Sequence, residues 1–130
     1  MNSIETIRGQ GLPVFIDGLI PKLFAPAHLE SMPEQVKRAK EIGYGTSPEG
    51  AMRTLEAMRA RPDRRRVLEE ARIPLLLAAG EHDQIIPADK TFTAQGPDVK
   101  RHTLKDSGHM SMMEAPEQLS AVIRDFVQGV

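Results

Sequence analysis

The stretch Ile73-Pro74-Leu75-Leu76-Leu77-Ala78-Ala79, closed by Gly80, constrains this chain more than any other feature. A strand with one wet face alternates polar and apolar residues, whereas a short continuous apolar run ended by a turn residue is expected of a strand covered on both faces. Such strands belong to parallel sheets flanked by helices, so the run predicts an α/β architecture. Residues 89–95 then have the length of a short crossover helix. Gly96-Pro97-Asp98 marks a turn, and residues 99–104 read as a second, more polar strand. The expected result is a βαβ unit. After it, Pro116 stands where a first helical turn tolerates proline. Leu119, Val122, Ile123, Phe126 and Val127 recur at helical spacing, predicting a closing helix over one face of the sheet.

Upstream of Arg72 the pattern is helical, and no glycine/serine linker, repeat or low-complexity tract separates the two halves. Leu12, Phe15, Leu19 and Leu23 predict a helix over 11–24, bent at Pro21. Pro33 opens a second, largely solvated helix carrying Val36 and Ala39 and ending at Gly43. Ser47-Pro48-Glu49 is a helix start, because a hydroxyl acceptor, a proline without an N–H and a carboxylate each suit the positive end of a helix. Met52, Leu55 and Met58 form the apolar side of that helix. Asp63 begins a further short helix with Val67, Leu68 and Ala71 inward.

Composition removes several functions. The net charge of −1 gives no reason to expect a polyanionic partner, and one tyrosine, four phenylalanines and no tryptophan leave little for stacking bases. The arginines at 59, 61, 64, 65, 66 and 72 are interspersed with Asp63, Glu69 and Glu70 and read as a solvated helix face. The longest apolar run is far below the roughly 20 residues of a membrane span, and the first residues lack the pattern of a signal peptide. With no cysteine there is neither disulfide nor thiolate chemistry. A cytoplasmic protein with no nucleic-acid or membrane partner is expected.

Two polar clusters follow the two predicted strands, Gly80-Glu81-His82-Asp83 and Asp106-Ser107-Gly108-His109. In a parallel sheet both lie at the carboxyl ends of the strands, on the edge where open α/β folds place ligands. Asp83 and His109 are therefore candidates to meet. An aspartate that accepts a hydrogen bond from imidazole Nδ1–H fixes the tautomer and leaves Nε2 as a general base. Taken singly, Asp83 as a turn cap and His109 as an ordinary loop histidine are the blander alternatives. A metal site from Glu81, His82, Asp83 and His109 lacks any supporting ligand spacing, so no metal or other cofactor is expected. His28 and His102 have no partner pattern. Met110, Met112 and Met113 read as gap-filling core.

The apolar strand ending in Gly80-Glu81-His82-Asp83, then Ile86-Pro87, Gly108-His109 and Glu114-Ala115-Pro116-Glu117, resembles in order and spacing the C-terminal end of the α/β-hydrolases. In the first half, residues 19–26, Ser47-Pro48-Glu49-Gly50 and Arg61-Pro62-Asp63 are similar to the cap region of the small esterase, lactonase and haloperoxidase branch. The resemblance implies a partial α/β-hydrolase fold, with a helical cap-like region at 1–71 and the C-terminal βαβα portion of the core at 72–130. It implies Asp83 as triad acid, His109 as triad base, and a loop-fixing hydrogen bond from Glu114. It also suggests Phe15, Leu19 and Leu23 as the wall of an acyl pocket. The departure is equally specific: none of the six serines (Ser3, Ser31, Ser47, Ser107, Ser111, Ser120) lies in a G-x-S-x-G elbow.

The resulting expectation is a truncated hydrolase-like chain that keeps the acid and histidine of an ester or lactone hydrolase and is inactive or weak alone. The rival is a non-catalytic ligand-binding or interaction module, and a further variant takes its serine from a second polypeptide. A two-stranded sheet has two unpaired edges. A homodimer is the preferred closure, with pairing to a complementary N-terminal half or rearranged cap helices as the others.

Overall fold

A computed structural model of the chain describes residues 2–130. The first half is built of helices α1 (Ser3–Gln10), α2 (Leu12–Leu23), α3 (His28–Ser31), α4 (Pro33–Tyr44), α5 (Pro48–Ala60) and α6 (Arg65–Glu70). Helix α1 lies outside the predicted elements. It starts from a reciprocal capping box: Asn2 Oδ1 accepts the Glu5 amide at 2.9 Å, and the Glu5 carboxylate accepts the Asn2 amide at 3.4 Å. Gly11, at φ 93°, makes the sharp junction to α2 that an L side chain would resist.

The main core gathers Ile7 of α1, Leu12, Ile16 and Ile20 of α2, then Phe24, and Ala39 of α4. The stripe of α2 that turns fully inward is thus rotated from the predicted one. Of Leu12, Phe15, Leu19 and Leu23 only Leu12 is buried, while Phe15 and Leu23 are half-buried against the cluster. Gly43 lies inside α4 rather than ending it, since a Cβ there would stand 2.7 Å from Ile16 Cδ1, and its absence lets α2 and α4 approach. Ser47 caps α5, its Oγ accepting the Gly50 amide at 3.1 Å. Met52 and Leu55 pack on the core, but Met58 is exposed. Helix α6 starts later than expected because Asp63 precedes it as a turn acceptor for the Arg65 amide. Val67 faces solvent instead of the interior, and Leu68 and Ala71 are half-buried.

Strands β1 (Leu75–Gly80) and β2 (Val99–Leu104) pair in parallel, from Leu75 opposite Val99 to Gly80 opposite Leu104. Between them α7 (Ala88–Thr91) is a single turn, shorter than the predicted crossover, and the chain returns to β2 without further helix. The chain closes with α8 (Ser111–Glu114) and α9 (Pro116–Gln128), the latter against β2. This is the predicted arrangement of a helical region, a two-strand parallel βαβ unit and a C-terminal helix. Coverage of β1 is less complete than its composition demands: Leu75 to Ala78 are half-buried, and only Ala79 and Gly80 are buried. Leu75 donates to Asp98 O and Glu81 to Leu104 O, so odd-numbered residues bond toward β2, and Leu76 and Ala78 present their N–H and C=O groups at the opposite edge. Among the described residues no strand pairs that edge. Helix α9 likewise leaves Ile123 and Val127 exposed. Among the described residues no helix is long and apolar enough to cross a membrane.

Candidate active site

The loops after β1 and β2 are laced together by main-chain bonds, Glu81 N to Leu104 O at 3.0 Å and His82 N to Ser107 O at 2.8 Å. They meet so closely that Gly80 can carry no side chain, because its Cβ would stand 2.1 Å from Gly108 O. Gly108 is held in the same way from the other side, where a Cβ would lie 2.4 Å from Ala25 N. Both contacts are with backbone, which has no soft way to yield.

Asp83 divides its carboxylate between two tasks. Oδ1 accepts the amides of Ile85 at 2.8 Å and Ile86 at 2.9 Å, which locks the turn. Oδ2 accepts His109 Nδ1–H at 2.9 Å, the roles following because an ionised carboxylate only accepts. Burial pushes the Asp83 carboxyl up, but the Ile86 amide, the His109 imidazole and the Ile85 amide together outweigh it and hold it below the ordinary carboxylate value. Asp83 is therefore an anion at neutral pH. Its side chain is 9% exposed and that of His109 34%, so the pair is anchored at the acid and open at the base. With Nδ1 protonated, Nε2 carries the lone pair, and among the described residues no protein group bonds it.

Among the described residues no serine hydroxyl is hydrogen-bonded to His109. Ser107 is fully buried and shares its hydroxyl with Ser111 at 2.9 Å. Main-chain bonds fix the base from behind: His109 N and Met110 N both donate to Leu23 O, at 2.8 and 3.2 Å. Gln84 Nε2 donates to Phe24 O at 2.9 Å, tying the aspartate turn to the same end of α2.

Glu114 is buried and central to the histidine loop. Oε2 accepts the amides of Gly108 at 2.9 Å and Met110 at 3.0 Å, the residues on either side of His109. Oε1 accepts the Ala25 amide at 2.6 Å and His28 Nδ1–H at 2.8 Å. The His28 contact has no sequence signal, since 86 residues separate the partners. Met110 and Met113 pack on the main core, while Met112 is exposed.

Other candidates fall outside this constellation. Phe15 and Leu19 line a groove between α1 and α2 with Val14, Gly18 and Lys22, and this groove takes in neither Asp83 nor His109. Leu23 is joined to His109 through its carbonyl and packs its side chain on the core. Glu81 and His82 are exposed and lie with Asp106 in a loose surface cluster, where Glu81 Oε2 accepts the Asp106 amide at 3.0 Å. Exposed acidic groups of this kind need no ion. His102 sits on β2 with its Nε2 buried and without a hydrogen-bond partner.

No protein-family model matches the chain, and no curated protein sequence matches it. Solved structures do. A thermophilic esterase from Thermogutta terrifontis superposes with a TM-score of 0.87 at 25% identity, covering 98% of this chain and 47% of the esterase. The enol-lactonase from Burkholderia xenovorans LB400 gives 0.85 at 21% identity, with coverage of 97% and 48%. A bromoperoxidase from Bacillus anthracis gives 0.73 at 22% identity, with coverage of 95% and 46%. The chain thus spans about half the length of each of these solved chains.

Proposed function

We propose that this chain, whose fold is that of the C-terminal half of the α/β-hydrolases, supplies the acid and the base of a carboxylic-ester or lactone hydrolase whose nucleophile comes from residues outside this sequence. The observation that carries the reading is the bond from His109 Nδ1 to Asp83 Oδ2 at 2.9 Å, with Nε2 left open. In the complete site a serine hydroxyl attacks the acyl carbon and gives its proton to His109 Nε2. Asp83 holds the ring in the reactive tautomer and stabilises the imidazolium, and His109 then returns the proton to the leaving alkoxide. Water repeats the cycle on the acyl-enzyme. That among the described residues no strand pairs the open edge of β1 and no group bonds His109 Nε2 favours a second structural half, whether it comes from the same or another polypeptide, and cytoplasmic residence belongs to the same reading.

Alone, the chain keeps an acid–base pair without a nucleophile, and such a pair retains only residual catalysis. The purified chain is expected to hydrolyse p-nitrophenyl acetate no faster than free imidazole and to take no label from a fluorophosphonate. Joined to the N-terminal half of the Thermogutta terrifontis esterase, it is expected to regain serine-dependent hydrolysis that His109→Ala abolishes. Fluorophosphonate labelling of the lone chain, or a folded chimera indifferent to His109→Ala, would refute the proposal.

A further inference from the structure

The buried Glu114 carboxylate receives four donors, and they come from two different parts of the fold. Two, the Gly108 and Met110 amides, bracket His109. The other two, the Ala25 amide and the His28 imidazole, belong to the turn between α2 and α3 and to the first residue of α3. The Glu114 side chain is 0% exposed and that of His28 16%. A carboxylate withdrawn this far from water is tolerable only while its donors stay in place, so none of the four can leave without a large desolvation cost. Two rigid groups bonded to one carboxylate therefore hold each other's position.

Resting on the acid–base role given above to Asp83 and His109, we infer that Glu114 and His28 are positioning residues: a second, buried carboxylate–histidine pair that seats the His109 loop against the helical half of the molecule. Neither touches the reacting atoms. Glu114 sets the main chain on both sides of His109, and His28 keeps Glu114 Oε1 turned toward the helices. The imidazole then meets Asp83 through Nδ1 and presents Nε2 outward only while the α2–α3 turn is seated. A displacement of that turn is transmitted to the base through one side chain. Carbonyl contacts from Leu23 support the same alignment but involve no side chain that can be exchanged.

The tautomer of His109, read from imidazole 15N shifts in the purified full chain, tests this without needing hydrolysis. A histidine side chain free in water favours the Nε2–H form, and the wild-type chain is expected to hold His109 as Nδ1–H. Glu114→Gln preserves shape but places an amide N–H₂ against two of the four donors. It is expected to keep the helical circular dichroism while moving the tautomer ratio about tenfold toward Nε2–H, the equivalent of one lost hydrogen bond. His28→Leu should move it in the same direction, and His28→Gln, which restores a donor to Oε1, should return it toward wild type. Should Glu114→Gln not fold, the two His28 variants decide the matter. Folded His28→Leu with an unaltered His109 tautomer overturns the positioning role while leaving the Asp83–His109 pair intact. If Asp83→Asn itself leaves the tautomer unaltered, the acid–base reading falls, and the positioning role falls with it.

Discussion

Gly80 and Gly108 touch through a space that no side chain can share: a Cβ on Gly80 would lie 2.1 Å from the Gly108 carbonyl oxygen. This contact brings the end of β1 against the segment that carries His109, and so limits how far Asp83 and His109 can stand apart. Gly80→Ala must push two backbone segments apart. A loss of about 1–3 kcal/mol in unfolding free energy is expected from urea titration, in the range of other overpacked sites. Gly108→Ala should behave alike. Gly9→Ala, in α1 with nothing within 4 Å of its added Cβ, is the control and is expected to stabilise by about 0.5–1 kcal/mol. Equal effects of the three substitutions would show that the close approach does not limit packing.

Acid should release Asp83. Its folded value lies below the ordinary one, because the Ile86 amide, the His109 imidazole and the Ile85 amide prevail over a burial that acts the other way. A group with a depressed folded value contributes stability that is fully present above its unfolded value, about 4, and is lost as pH falls through the folded value. The stability that Asp83 contributes relative to Asp83→Asn is thus expected to shrink as pH falls below about 4. Urea midpoints at several pH values below about 5 measure it, and a difference that grew as pH fell below about 4 would contradict the sign.

The uncovered surface predicts how the isolated chain behaves. The open edge of β1 begins two residues after Ile73, which is 64% exposed, and Val67, 61% exposed, lines a groove with Leu77 of the same strand. Unpaired strand edges beside apolar side chains favour association. Sedimentation of the purified chain at micromolar concentration is expected to show species larger than a monomer, and Ile73→Lys with Val67→Lys should shift them to monomer without lowering thermal stability. A monodisperse wild-type monomer would sink this expectation.

Removal of a helix start gives a smaller, local effect. Ser47 Oγ accepts the Gly50 amide at the head of α5, in an exposed setting. Ser47→Ala is expected to cost about 1 kcal/mol by thermal melting. Because α5 packs Met52 and Leu55 on the main core, the loss should appear in the global transition and not as separate fraying.

Much of the framework was legible in the chain's own pattern. The continuous run at residues 73–79, the turn at Gly96-Pro97-Asp98 and the spacing from Leu119 to Val127 announced β1, β2 and α9, since strand and helix periods and turn chemistry are local properties. The same pattern put Asp83 and His109 at the carboxyl ends of neighbouring parallel strands. Helix α1 was missed although Asn2 and Glu5 carry its capping box, because two isoleucines are too few to establish a period.

What the tertiary structure alone decided were choices among locally equivalent options. Along α2 and its C-cap the residues Phe15, Leu19 and Leu23 and the residues Ile16, Ile20 and Phe24 are both apolar stripes at helical spacing, and packing against Ile7 and Ala39 selects the second. Val67 and Met58 were expected inside and lie outside, because within these residues nothing stands over them. The bond between His28 and Glu114 joins positions 86 residues apart, and a hydrogen bond of that kind leaves no trace in spacing. By itself, the sequence determined where its strands, its final helix and its acid and histidine fall. Only the folded chain decided which faces meet and which buried donors a lone carboxylate gathers, because those depend on distances in space that no local period encodes.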